Sequence, residues 1–91
     1  MKMDYVVGID AGSVSVNCIV LNTRKEVLFE HPYRRHYGQV QKTVSGVLQE
    51  VERRFGNDSL RNIVFTGNYR KLLAERFNGS SVLESIAQIV G

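Results

Sequence analysis

Cysteine, proline and long apolar runs are scarce in this 91-residue sequence. The one cysteine, Cys18, excludes an internal disulfide framework and supplies too few ligands for a zinc or iron-sulfur site. Because Cys18 lies in a predicted strand, we expect it to be buried as a small hydrophobe. The first apolar run, Tyr5 to Ile9, is too short for a secretion signal or a membrane span. We therefore expect a cytoplasmic protein without a membrane partner.

Charge and composition indicate one globular domain. Hydrophobic residues make up 43% of the chain and charged residues 23%, which is typical of a folded domain and not of a disordered chain. The net charge is +3, and the basic residues are dispersed along the chain, with pairs at Arg34-Arg35, Arg53-Arg54 and Arg70-Lys71. Dispersed basic residues favour a solvated surface, so we do not expect a nucleic-acid partner.

The first third of the chain predicts three strands. Tyr5 to Ile9 is almost entirely apolar, as in a strand covered on both faces, and a second strand follows the turn, from Val14 to Leu21. Glu26 to Tyr33 predicts a third strand, which Pro32 places at the sheet edge. Short turns between them predict an antiparallel meander.

The pattern then changes to helical spacing. The apolar positions of this amphipathic helix are Val40, Val44, Val47, Leu48, Val51 and Phe55, and Gly56-Asn57-Asp58 predicts its end. Gly46 inside the helix is unfavourable by about 1 kcal/mol relative to alanine, which suggests close packing of the helix on the sheet.

The remaining elements complete a recognisable order. Ile63 to Thr66 predicts a fourth strand beside the first, since a crossover helix joins parallel strands. Asn68 is the predicted cap of a second helix that stops at Asn78-Gly79, and Ser81 to Glu84 fits the capping box of a third, inside which we expect the chain to end. The fold class is α/β, with the ribonuclease-H-like order βββαβα, a mixed sheet and a truncated C-terminus.

The turn after the first strand has the features of a phosphate site. Gly12 allows a positive φ, and the backbone N–H groups of Gly12, Ser13 and Val14 can face one anion. The hydroxyls of Ser13 and Ser15 add donors. Asp10 opposes this, because two unit charges about 4 Å apart repel by about 4 kcal/mol at an effective dielectric of about 20. A magnesium ion between Asp10 and the phosphate removes the conflict. A turn that is only a tight hairpin connection remains the alternative.

The stretch "VVGIDAGSVSVNCIVLN" resembles the first phosphate motif of the superfamily that contains acetate and sugar kinases, heat-shock chaperones and actin. Within that superfamily, residues 1–91 resemble the N-terminal part of activators of 2-hydroxyacyl-CoA dehydratases, a group that includes ATPase subunits of benzoyl-CoA reductase. "VFTGNYRKLLAE" and "VLESIAQIVG" also carry the closer match. Sugar kinases resemble the chain less, because they have a longer insertion before the fourth strand.

The resemblance implies an ATPase in which ATP or ADP binds with Mg²⁺ between two lobes. It implies a homodimer holding one [4Fe-4S] cluster, from which ATP hydrolysis drives an electron to the dehydratase or reductase partner. Asp10 would lie near magnesium, and the implied phosphate-binding residues are Gly12, Ser13, Val14, Ser15, Asn17 and Gly67. The cluster cysteines and the second phosphate motif lie downstream in the family. We therefore expect this segment to contain no catalytic residue and to hydrolyse little or no ATP alone.

The chain departs from the activators at two places. Val14 and Asn17 stand where activators have threonine and lysine, so a phosphate-contacting cation is missing from the hairpin. The turn after the fourth strand, Thr66 to Arg70, lacks the second glycine of the family's "TGYGR".

Two other functions compete with the ATPase. One is a ribonuclease-H-like nuclease or Holliday-junction resolvase, which needs further carboxylates around Asp10. The other is a regulatory domain that has lost turnover, which Asn17 favours. His31, Tyr33, His36 and Tyr37 also cluster near the end of the third strand, but an exposed loop explains them better than a site.

Overall fold

The computed structural model describes residues 4–82 as an α/β fold. A mixed five-stranded sheet carries two α-helices, and a short 3-10 helix at Asn57–Leu60 follows the first of them. The strands are β1 (Tyr5–Ala11), β2 (Ser15–Asn22), β3 (Val27–Arg35), β4 (Ile63–Thr66) and β5 (Ser80–Ser81), and the helices are α1 (Val40–Phe55) and α2 (Arg70–Phe77). Within residues 4–82 no helix is long and apolar enough to cross a membrane.

The sheet order is β3-β2-β1-β4-β5. β1, β2 and β3 pair antiparallel, β4 pairs parallel with β1, and β5 pairs parallel with β4. The predicted meander, the position of the fourth strand beside the first and the edge position of the strand containing Pro32 are therefore confirmed. β5 was not predicted. Its Ser81 is the first residue of the predicted capping box, and the next residue, Val82, donates its N–H to the Phe65 carbonyl oxygen at 3.0 Å. The predicted helix from Leu83 onwards lies outside the described residues.

One face of the sheet packs against both helices. Its core contains Val7, Ile9, Ala11, Val16, Cys18, Val20, Ile63 and Phe65 from the strands, with Val40, Val44, Val47, Leu48 and Val51 from α1 and Leu73 from α2. Alternation along β1 places Asp10, which lies between Ile9 and Ala11, on the opposite face. Packing of the core therefore holds β1 in place, with the candidate metal ligand Asp10 on its other face.

Two local predictions were wrong. Gly46 does not make a close approach, since a Cβ atom there would meet nothing within 4 Å. Asn68 does not cap α2: the residue preceding the helix is Tyr69, and no side chain caps that end. The predicted end of α2 is confirmed, because Asn78 takes the left-handed conformation (φ 60°) directly after Phe77.

Candidate functional site

Asp10 occupies the centre of a polar row that crosses three strands. It is the antiparallel partner of Asn17 on β2 and the parallel partner of Thr66 on β4. Direct register partners present their side chains on the same face, and neighbouring strands are about 4.8 Å apart. The row lies one residue from the end of β1, beside the turn that the sequence singles out.

Thr66 is the member of the row that the sequence analysis did not propose. Its side chain is 1% exposed, and its Oγ1 has no hydrogen-bond partner among the described residues. A buried unsatisfied hydroxyl carries a desolvation penalty of about 1 to 3 kcal/mol, so such groups are few in folded proteins and each needs an explanation. A ligand oxygen that reached this corner would supply the missing partner.

The backbone at Gly67 lies close to the side chain of Asp10. With φ at 91°, it takes a conformation that favours glycine, and a Cβ atom there would lie 2.5 Å from the Ala11 carbonyl oxygen and 2.8 Å from Asp10 Oδ1. Arg70 holds this turn, because its Nη1 donates to the Gly67 carbonyl oxygen at 3.1 Å. The predicted glycine turn after the fourth strand is therefore in direct contact with the predicted metal ligand.

The turn between β1 and β2 differs from the expected anion cradle at Gly12. Gly12 does not take a positive φ, and its N–H donates to the Ser15 carbonyl oxygen at 3.0 Å, which closes the hairpin. The N–H groups of Ser13 and Val14 make no backbone hydrogen bond with the described residues. Two of the three expected donors thus remain for a ligand.

The other predicted phosphate-binding residues surround the turn. Ser13 is exposed, Val14 is 52% exposed, and Ser15 and Asn17 lie at the start of β2. Asn17 is also exposed, so its amide faces solvent in the row beside Asp10. The structure therefore brings Asn17, Thr66 and Gly67 to Asp10, and leaves Ser13 and Val14 at the tip of the turn.

His36 is the residue that fixes the turn, and the sequence analysis assigned it to an exposed loop. It is 3% exposed. The Gly38 N–H donates to its Nδ1 at 3.0 Å, so Nδ1 is the acceptor and Nε2 carries the hydrogen donated to the Gly12 carbonyl oxygen at 2.9 Å. Its backbone N–H donates to the Val14 carbonyl oxygen at 3.0 Å. Tyr69 packs edge-on against the ring at 5.7 Å between centroids.

His31, Tyr33 and Tyr37 were grouped with His36 in the sequence, but the structure separates them. Tyr33 and Tyr37 are exposed, as expected. His31 is buried, and its ring donates from Nδ1 to the Pro32 carbonyl oxygen at 2.8 Å and from Nε2 to the Glu50 carboxylate on α1. The hydrogen bond from His31, with the charges of His31 and Arg34, lowers the pKa of Glu50 below its ordinary value. This pair joins β3 to α1 and does not belong to the turn.

The donor set does not fit an iron-sulfur cluster or a multi-carboxylate site. Burial raises the pKa of the Cys18 thiol to about 12, so the thiol stays protonated and unsuited to ligate metal at neutral pH. Across residues 4–82 no group of three or more His, Cys, Asp and Glu side chains comes together. A two-metal nuclease needs several carboxylates, whereas the strand beside Asp10 offers Thr66.

What the arrangement does fit is one magnesium ion shared with a ligand. Mg²⁺ retains several waters and binds through one or two carboxylates together with phosphate oxygens. Asp10 would supply the carboxylate, whereas the Thr66 hydroxyl oxygen is buried and would bond to a metal-bound water or a phosphate oxygen only once the corner opens. Comparison of the chain with protein-family models, with curated proteins and with solved structures found no match.

Proposed function

We propose that this chain is the nucleotide-binding N-terminal portion of an ATPase, with Asp10 on the magnesium side of a bound ATP or ADP. The hairpin residues Gly12 to Asn17 and the Gly67 turn would surround the phosphates. The observation that carries the proposal is the unpartnered, buried Thr66 hydroxyl next to Asp10. Together with Gly67 against Asp10 Oδ1, it gives this corner a need for a ligand that a plain hairpin turn does not have.

The sheet supports a ribonuclease-H-like fold for the proposed ATPase lobe. An antiparallel β3-β2-β1 meander with β4 parallel to β1 is the arrangement expected from that order of elements. The arrangement puts the carboxylate of Asp10 near the end of a central strand, with a hairpin on one side and a glycine turn on the other. Both segments contribute residues to the same corner, as a phosphate site requires.

The narrower proposal is an activator of a 2-hydroxyacyl-CoA dehydratase or benzoyl-CoA reductase-type enzyme. It is supported by the resemblance of the opening motif and of the stretches "VFTGNYRKLLAE" and "VLESIAQIVG", although the turn from Thr66 to Arg70 lacks the family's second glycine. In such a parent protein, ATP hydrolysis would drive an electron from a [4Fe-4S] cluster to the partner enzyme. The buried Cys18 does not serve that cluster, so the proposal places its ligands outside residues 4–82.

Magnesium-nucleotide binding is the direct test. The ¹⁵N-labelled chain is titrated with ATP in the presence of Mg²⁺, and then with a trace of Mn²⁺, which broadens amide signals near the metal. We expect shifts at Ser13, Val14 and Gly67 and broadening around Asp10. Asp10→Asn should abolish the broadening, whereas Asp4→Asn, which removes an exposed carboxylate at the other end of β1, should not. Absence of any shift at millimolar ATP would refute nucleotide binding.

The reading frame beyond this segment tests the narrower proposal. An activator requires a glycine-glycine-x-aspartate motif followed by cysteines in a glycine-rich turn, and their absence would exclude it. ATP turnover by the complete gene product then separates an ATPase from a binding-only regulatory domain, for which Asn17 in place of a cation is the supporting observation. A turnover rate equal to that of buffer, with nucleotide binding intact, would favour the regulatory domain.

A further inference from the structure

Arg35 is held close to the turn by its neighbours in the chain. It ends β3 and is the direct register partner of Ser15, at the start of β2. The next residue, His36, donates its backbone N–H to the Val14 carbonyl oxygen and its ring Nε2–H to the Gly12 carbonyl oxygen. The end of β3 is therefore fixed to the turn at two points.

A small cavity lies between the turn and the end of β3. Its volume is about 140 Å³, and it is lined by Ser13, Val14, Arg35, His36, Tyr37 and Gly38. Whole-ligand pockets have volumes of about 300 to 1,000 Å³, so this one suits a single chemical group of a larger ligand. Its lining residues include Ser13 and Val14, whose backbone N–H groups make no backbone hydrogen bond with the described residues.

The charge around this cavity favours an anion. Among the described residues, Arg35 forms no ion pair, and its guanidinium instead lies 5.7 Å from the centroid of the Tyr37 ring. Arg34 is different, because it reaches the Glu50 carboxylate at 3.5 Å. A larger adjoining cavity of about 470 Å³ shares Arg35 and adds Lys42, and its described lining has no acidic side chain. Basic residues thus line both the cavity at the turn and the adjoining one.

We propose that the Ser13–Val14 turn and Arg35 form a subsite for a phosphate group, in which Arg35 supplies the positive charge that Asn17 does not. This inference depends on the proposed nucleotide function and identifies the cation of that site. A guanidinium donates two parallel hydrogen bonds to a phosphate, and the free N–H groups of the turn add further donors.

Inorganic tripolyphosphate with Mg²⁺ is the probe, because it contains the phosphates without the nucleoside. Binding is followed by amide shifts at Ser13 and Val14 for the wild-type chain and for Arg35→Gln, with MgATP titrated in parallel. A charge-assisted hydrogen bond contributes enough that Arg35→Gln should raise the dissociation constant for both ligands by about tenfold. Arg35→Lys keeps the charge but loses the paired geometry, so it should bind with intermediate affinity.

Arg24→Gln is the matched control. It removes the same charge from the turn between β2 and β3, at the opposite end of the strands, and should change the dissociation constant less than twofold. The amide spectrum of each variant shows whether it is folded. Equal affinity of Arg35→Gln and wild type for MgATP would overturn the subsite while leaving nucleotide binding intact. If Arg35→Gln and Arg24→Gln lost affinity equally, the effect would come from net charge alone, and the subsite would again be overturned. A wild-type chain that binds neither ligand would refute the subsite and the proposed function together.

Discussion

Asp10 and Thr66 are direct partners across the parallel β1–β4 pair, and the Thr66 hydroxyl is buried without a hydrogen-bond partner among the described residues. A fold that needed Thr66 only for packing would be served better by valine, which has the same shape without a polar atom. The proposed ligand binding would therefore separate the role of Thr66 in binding from its effect on stability. That separation can be measured.

Thr66→Val should stabilise the fold and weaken nucleotide binding. Removing an unsatisfied buried hydroxyl relieves a desolvation penalty, so we expect the free energy of unfolding to rise by about 1 kcal/mol. The dissociation constant for MgATP should rise at the same time. Thr43→Val is the control, because the Thr43 hydroxyl donates an exposed hydrogen bond to the Gln39 carbonyl oxygen at 3.0 Å, so its removal relieves no desolvation penalty and should not stabilise. Urea unfolding of both variants checks the sign, and a less stable Thr66→Val would contradict the prediction.

Gly67→Ala should be more damaging than its backbone angle alone explains. Gly56, at φ 98°, has no atom within 4 Å of an added Cβ, so Gly56→Ala measures only the conformational penalty, about 1 to 3 kcal/mol. At Gly67 the new Cβ would also collide with the Ala11 carbonyl and with Asp10. We expect Gly67→Ala to lower the free energy of unfolding by about 1 to 3 kcal/mol more than Gly56→Ala, as measured in urea. Equal losses would show that the turn relaxes freely.

Gly46→Ala should stabilise the chain. Nothing lies within 4 Å of a Cβ atom at Gly46, so alanine adds helix propensity to α1 without a collision. The expected gain in the free energy of unfolding is about 1 kcal/mol, visible as a higher midpoint in urea with an unchanged slope. No gain, or a loss, would restore the close helix–sheet contact that the sequence suggested.

The His31–Glu50 pair should make stability depend on acid pH. The folded-state pKa of Glu50 is lowered, chiefly by the hydrogen bond from His31, so its contribution is present above the unfolded-state pKa of about 4.3 and is lost as pH falls through the folded-state value. Glu50→Gln should therefore be less stable than wild type at pH 5 to 6. The two should converge as pH falls below the lowered folded-state pKa of Glu50. If the stability difference between wild type and Glu50→Gln were as large at pH 3 as at pH 5 to 6, the effect would be due to packing and not to the charge of Glu50.

Local sequence pattern was sufficient to predict most of the strands and the first helix. Alternation and helical spacing located β1 to β4 and α1, because apolar residues must face one core. The positions that depend on contacts between residues far apart in the sequence were not predicted. His36 looks like a loop residue until the sheet brings it to Gly12, and Thr66 looks like a strand end until β4 pairs with β1. Gly12 is a third case, since its N–H closes the hairpin instead of facing a ligand.

The sheet order has a consequence for how the site forms during folding. Asp10 meets Asn17 through a local hairpin, whose formation takes about 1 to 10 μs, but it meets Thr66 only after the chain through α1 has closed a long loop. Pairings of high sequence separation are slow, because loop-closure entropy is lost before contacts compensate for it. The recognisable motif is thus complete early, and the pairing of Asp10 with Thr66 is one of the late products of folding. A chain stopped before β4 would carry the motif without the corner at which we propose that the nucleotide binds.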